Sequence, residues 1–338
     1  MNKLLLVVGV LVVASQVGAQ NNVLVRVERV NVVGADDLAF GIMFPTCCDQ
    51  QGRTYVKLLS GEPGHVEPLL RISDKGLVEA QFDMSGEMPL RYAMRPDGGA
   101  VMFHSDGKYK FLDNFAPDGK HESSVRLEPP PTPFFPSQIA VFHSGEIFIS
   151  GLQYQPGYKA SAAIYSATGS LIKQPTLDQD EKRERNIATD SGAQKLNAEA
   201  IDKSVATAGD DGLVYLMRPT TPAVVYAISP AGDVLRTLRV VAPMGAGAPW
   251  FGLRVVKNRS LIQFRRDCAP NVSSCIGSVY AILDATTGRS LATYETNKEA
   301  AGTIACYVPD PDRFFIFSLS SDRHGWAIVE ARVKEGSP

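Results

Sequence analysis

Charge of one sign is what this chain most plainly lacks. Its 34 Lys and Arg are balanced by 36 Asp and Glu, a formal net charge of −2, so it has no basic field of the kind that gathers nucleic acid. The apolar run near its start, Leu4 to Ala14, is 11 residues, well short of the roughly 20 that a helix needs to span a bilayer. There is no nucleophile elbow, no phosphate-cradling glycine loop and no Cys/His cluster at metal-ligand spacing. Disorder-like composition is absent too: the hydrophobic fraction is 44%, ample for a core.

The first 19 residues read as a secretion signal. Lys3 gives a basic start, Leu4 to Ala14 the apolar run, and Val17-Gly18-Ala19 a small-residue cleavage site, leaving Gln20 at the head of the exported chain. No cysteine stands at that point, which argues against a lipoprotein anchor. The expected location is secreted or periplasmic, with no membrane span after signal removal. Export permits disulfides. The cysteines are Cys47, Cys48, Cys268, Cys275 and Cys306, an odd number, so at least one is unpaired or pairs between chains. Cys268 and Cys275 bracket a short loop around Pro270 and are predicted to bridge. Cys306 with Cys47 or Cys48, a vicinal Cys47–Cys48 bridge, and free buried thiols are the alternatives for the rest.

Residues 20–338 carry a repeat. Strand-like runs follow polar turns at Arg53–Leu58, Ala100–Phe103, Glu146–Ser150, Leu213–Met217, Ser260–Phe264 and Arg313–Phe317. Glycine hinges at Ser73–Gly76, Pro117–Gly119, Ala167–Gly169, Pro230–Gly232 and Thr286–Gly288 mark second hairpins. One interval is lengthened by a charged insert, residues 178–199, which contains DQDEKRER. Repeats of this length, each with a turn, a strand and a hinged hairpin, predict an all-β fold of six four-stranded antiparallel blades arranged radially. The sixth unit lacks an outer strand. The period-two run within residues 22–33 supplies one and would close the ring.

In these hairpins, and in Asp49–Tyr55 and Asp211–Tyr215, the chain resembles six-bladed β-propellers of the NHL and TolB-like kind. The resemblance implies the fold alone, because such propellers carry unrelated activities. It brings no Trp-Asp repeat, no Tyr-Trp-Thr-Asp run and no Ser-x-Asp-x-Gly box, so no functional residue carries over.

With strands lettered a to d from the channel outward, the a–b and c–d turns are short. The long connections fall on the b–c/d–a side, which is therefore the predicted working face. Candidate ligand contacts there are Phe134 and Phe135 before blade three, Trp250 and Phe251 before blade five, Arg91 and Arg254 entering strand a, and Arg265 at the head of a b–c loop. His65, His104 and His324 are placed in b–c connections of neighbouring blades, where they would hold a divalent metal or act as acid and base; no other cofactor is implied. The reading is an exported binding or scaffold protein whose loop face takes a protein, peptide or glycan. The alternatives are a channel-mouth hydrolase, lactonase or lyase, and a structural subunit of an envelope assembly.

Overall fold

The computed structural model describes residues 23–33, 39–49, 52–60, 66–84, 91–153, 159–177, 204–266, 277–296, 302–309, 312–319 and 326–333. These form a six-bladed β-propeller. Blade one is β2 (Ala39–Cys48), β3 (Thr54–Ser60), β4 (Val66–Ile72) and β5 (Val78–Phe82); blade two is β6 (Arg91–Met94), β7 (Ala100–Ser105), β8 (Lys110–Phe115) and β9 (His121–Arg126). Blade three is β10 (Phe135–Val141), β11 (Ile147–Gln153), β12 (Lys159–Tyr165) and β13 (Leu171–Lys173); blade four is β14 (Val205–Ala208), β15 (Val214–Arg218), β16 (Ala223–Ile228) and β17 (Val234–Val240). Blade five is β18 (Ala246–Val256), β19 (Arg259–Arg266), β20 (Ser278–Asp284) and β21 (Ser290–Glu295). Blade six is β22 (Thr303–Val308), β23 (Arg313–Leu319), β24 (Trp326–Val333) and, from the other end of the chain, β1 (Val23–Val33).

The sequence dictates each blade through its turns and its burial pattern. A five-residue turn recurs on the a–b and c–d side, as at Ser73–Leu77, Ala116–Lys120 and Ser229–Asp233. The first residue accepts from the glycine three on and donates to the carbonyl four on, as in Gly119 to Ala116 (2.9 Å) and Ala116 to Lys120 (2.8 Å). The glycine sits at positive φ, +90° at Gly119, where a side chain is strained. A Cβ there would also lie 2.0 Å from the Gln81 carbonyl oxygen of blade one. Middle strands are covered by a blade on each side, so β16 (AVVYAI) is buried at every position. Outer strands have one wet face, so β17 (VLRTLRV) alternates.

There is no single central core. Six apolar clusters each fill one junction between successive blades, from Tyr55, Phe82 and Tyr92 between blades one and two to Val56, Phe315 and Ile328 between six and one. Tyrosine–aspartate contacts at the turn side stitch the junction of blades five and six and brace the a–b turns of blades one and four. Asp312 in blade six accepts from Tyr294 of blade five (2.6 Å), Tyr307 (2.6 Å) and Arg259 of blade five (3.0 Å). Asp49 takes Tyr55 at 2.9 Å, and Asp211 takes Tyr215 at 2.6 Å.

Closure follows the sequence expectation. β1 pairs antiparallel with β24 from Val25↔Val333 to Val33↔Trp326. The structure adds a feature: Val23 and Leu24 first pair parallel with Tyr294 and Glu295 on the outer edge of blade five. One strand therefore ties together the last two blades. Cys48 at the end of β2 is bonded to Cys306 in β22, with Cα atoms 5.3 Å apart, so the inner strands of blades six and one converge enough for a staple. The predicted Cys268–Cys275 pair, residues 1–19 and the 178–199 insert lie outside the described residues.

Replacing Cys306 with Ala should lower stability by about 2–5 kcal/mol, read as a drop in Tm against the wild type under oxidising conditions. A second expectation concerns alkali. Burial first, and then the Asp312 carboxylate, push Tyr294 and Tyr307 well above the ordinary phenol range; Tyr165 is raised to about 12, again chiefly by burial. A raised phenol favours the folded state fully below its unfolded value of about 10, and that contribution is lost as pH rises beyond it. Stability should be flat through neutral pH and fall above about pH 10, with phenolate absorbance appearing together with unfolding. Ionisation of Tyr165, Tyr294 or Tyr307 in a still-folded protein at the ordinary phenol value would contradict this.

Candidate functional site

The two sides of the ring differ in kind. Among the described residues the turn side is built from the repeated five-residue turn, a six-residue version at Asp284–Arg289 and a two-residue turn at Lys257-Asn258 with both residues at positive φ. The opposite side carries connections as long as residues 267–277 between β19 and β20, and 174–204 between β13 and β14. Irregular length on one side of a regular scaffold is where residues are free to be chosen for binding.

The predicted residues on that side separate into structural and exposed groups. Phe134 is 4% exposed and lies beneath Lys110, whose Nζ sits 5.5 Å above its ring and donates to its carbonyl at 2.8 Å. That burial lowers the affinity of Lys110 for its proton. Its neighbour Phe135, the first residue of β10, is 66% exposed. The strand begins between the two: Phe134, just ahead of β10, packs inward, and Phe135, its first residue, faces water.

Arg254 is buried. Its Nε donates to Ala305 (2.9 Å), its Nη2 to Ile304 (3.1 Å) and its Nη1 to Leu253 (2.7 Å). Those carbonyls make it a strut between β18 and β22. Arg91 opens β6 and is half-buried. Trp250 and Phe251 lie within β18, not ahead of it, and Arg265 and Arg266 are the last residues of β19, not the head of a loop. The Arg265 guanidinium stacks 4.5 Å from the Trp250 ring centroid, and Arg266 pairs with Glu295 at 3.3 Å. Among the predicted site residues, Trp250 and Arg265 are a pair that the structure brings together.

His104 is the penultimate residue of β7, not part of a b–c connection. Its Nδ1 is 2.9 Å from Asp113 Oδ2, and its ring stacks on Phe111 at 5.1 Å. Across the same carboxylate, Ser124 donates to Asp113 Oδ1, and His121 Nε2 lies 3.7 Å from that oxygen. The cluster belongs to strands b, c and d of one blade, because residue pairing sets Asp113 opposite Met102 and Ser124. His65 and His324 lie outside the described residues. Among the described residues no group of three or more His, Cys, Asp or Glu is arranged to hold a metal ion.

Two residues escaped the sequence reading. Val241 and Met244, in the connection between β17 and β18, are 78% and 76% exposed. The signal was available in the run Val240 to Ala248, VVAPMGAGA, apolar throughout in a position where solvent-facing connections are usually polar. The turn at Pro243–Ala246 (3.0 Å) carries this segment into β18, where Ala246 pairs with Arg266. Val241 and Met244 thus lie on the connection that enters blade five at the pairing of Ala246 with Arg266, and Trp250 and Arg265 lie on the two strands so paired.

The fold defines the class: a six-bladed β-propeller closed by its N-terminal strand. No protein-family model matches the chain, and no curated protein matches it. Solved structures with a similar fold include virginiamycin B lyase from Staphylococcus aureus (11% identity, 90% of this chain and 99% of that one, TM-score 0.47). They also include the Dos1 propeller (11% identity, 86% and 78%, TM-score 0.45) and a protein of unknown function from Bacteroides caccae (11% identity, 75% and 81%, TM-score 0.42).

Arg254→Leu separates the strut from a ligand clamp. Loss of its donors leaves the buried Ile304 and Ala305 carbonyls without them, which should cost about 2–4 kcal/mol in chemical unfolding. Ligand affinity of the folded variant is expected to stay at the wild-type level.

Proposed function

We propose that the protein is an exported binding propeller that recognises a protein or peptide segment at the blade-five corner of its long-connection side. The observation that carries this reading is the pair of exposed apolar side chains, Val241 and Met244, on the connection leading into β18, the strand whose Trp250 is stacked by Arg265. Isolated exposed apolar residues are ordinary, but an aliphatic pair closely followed by an aromatic with a cation on its face is the make-up of an interface centre. Methionine adapts its shape to a partner at little cost. Tryptophan offers a large area with few rotors to freeze. Arg265, exposed and stacked, retains in-plane N–H donors for a carboxylate. The matching ligand is an apolar side chain flanked by an acidic one. Phe135, exposed on the same side of the ring at the start of β10, extends the rim.

Export is supported by the leader-like first 19 residues and by the Cys48–Cys306 bridge, which suits an oxidising compartment. No helix among the described residues is long and apolar enough to cross a membrane.

Panning a random peptide display library against the protein tests the reading. Enriched peptides should combine apolar and acidic residues and lose at least about thirtyfold in affinity against Met244→Asp with Trp250→Ala, the scale of one anchor worth about 2 kcal/mol. Arg265→Gln should weaken the acidic peptides selectively. Peptides that bind the double variant as tightly as the wild type would remove the blade-five corner from consideration.

A further inference from the structure

A second site lies on the other side of the ring. Between blades two and three, at the turn side, is a cleft of about 440 Å³, within the range of small-molecule sites, roughly 300–1,000 Å³. Three other junctions are crossed by a long basic side chain. At the junction of blades one and two, Arg71 crosses to the carbonyl of Pro117 at 2.8 Å. At blades three and four, Lys173 crosses to Asp233, and at blades five and six Arg259 crosses to Asp312 at 3.0 Å. Arg95 stands at the rim of the blade two–three junction but turns back into its own blade. Its Nη1 donates to Glu122 and its Nη2 to Asp97, each at 2.5 Å. The space that a crossing side chain would fill stays open.

The lining is polar on both walls over an aliphatic floor. Blade two contributes the Arg95 ion-pair set together with Asn114 and Ser123, which are bonded to each other at 3.3 Å. Blade three contributes His143 and Ser144 from its a–b turn. Val101, Val141 and Ile147, all buried, form the floor.

We infer that this cleft binds a small neutral polyhydroxylated ligand, of monosaccharide to disaccharide size. The charges are already paired within blade two. A cationic ligand would have to compete with Arg95 for both carboxylates, and an anionic one would meet two carboxylates against a single guanidinium. A hydroxyl group both donates and accepts, so a row of them can use the spare carboxylate lone pairs, the Asn114 amide and the Ser123 hydroxyl, and can donate to the Ser144 oxygen, whose own proton goes to Glu146, without breaking the existing pairs. Fixing the guanidinium between two carboxylates also removes rotamer freedom that a ligand would otherwise have to freeze.

The test is saturation-transfer NMR and calorimetry on the full exported chain with D-glucose, D-galactose, N-acetylglucosamine and maltose, and with agmatine as a cationic probe. At least one sugar should bind saturably with a Kd of millimolar order, about 4 kcal/mol of binding free energy. Glu122→Gln and Asn114→Ala should each weaken it about tenfold, the loss of one hydrogen bond to a polar or charged group. Ala167→Trp plugs the cleft from an exposed turn position and should abolish binding while leaving Tm unchanged. Trp250→Ala, on the opposite side, should leave it intact. Failure of all four sugars to saturate, binding that survives Ala167→Trp, or preference for agmatine would each overturn the inference.

Discussion

Everything in this molecule depends on each blade being covered on both faces by another blade. A four-stranded sheet whose middle strands are apolar on both sides cannot be stable alone, and here each of the six junctions holds its own cluster. A linear stack would leave two such faces in water. The ring removes them, but only if its first and last blades are held together. Two independent devices do this: the β1–β24 ladder completes blade six, and the Cys48–Cys306 bond joins the inner strands of blades six and one. The tyrosine–aspartate contacts at Asp49, Asp211 and Asp312 then fix the turn ends of individual blades.

With the frame held this way, the two sides of the ring are free to differ. The turn side has little room for variation, since residues such as Gly119 sit against a neighbour's backbone at a distance no Cβ tolerates. Specificity there comes from which junction is left open, and Arg95 decides that by folding back on its own blade. On the long-connection side, specificity comes from what the connections carry, and the blade-five corner carries apolar and aromatic groups in water.

How much of this was legible beforehand follows from the range of the forces involved. The blades were legible because turn chemistry and period-two burial are local. The glycine hinges at Gly76, Gly119, Gly169, Gly232 and Gly288 all take the positive φ that their turns require. The closing strand was legible because the sixth unit was one strand short. Residue roles were harder, since they depend on partners distant in sequence. Nothing near Arg254 announces that its donors end on the Ile304 and Ala305 carbonyls. Phe134 and Phe135 look alike in sequence, yet one is buried just ahead of β10 and the other is exposed at its first position. The partner of His104 is Asp113 on the next strand of its own blade, which a search for histidines shared between blades passes over.

The arrangement of β1 has an implication for how the molecule is made. Of the described strands, β1 is made before all the others, yet it pairs with β24, the one made after all the others, and with the far edge of blade five. Five blades can assemble in order behind the advancing chain while that leading segment waits with unsatisfied backbone groups, and nearly the whole length must arrive before it docks. Contacts this distant in sequence slow folding, and an unpaired edge invites pairing with another chain in the interval. A cell making this protein therefore has reason to keep its leading segment occupied until the tail appears.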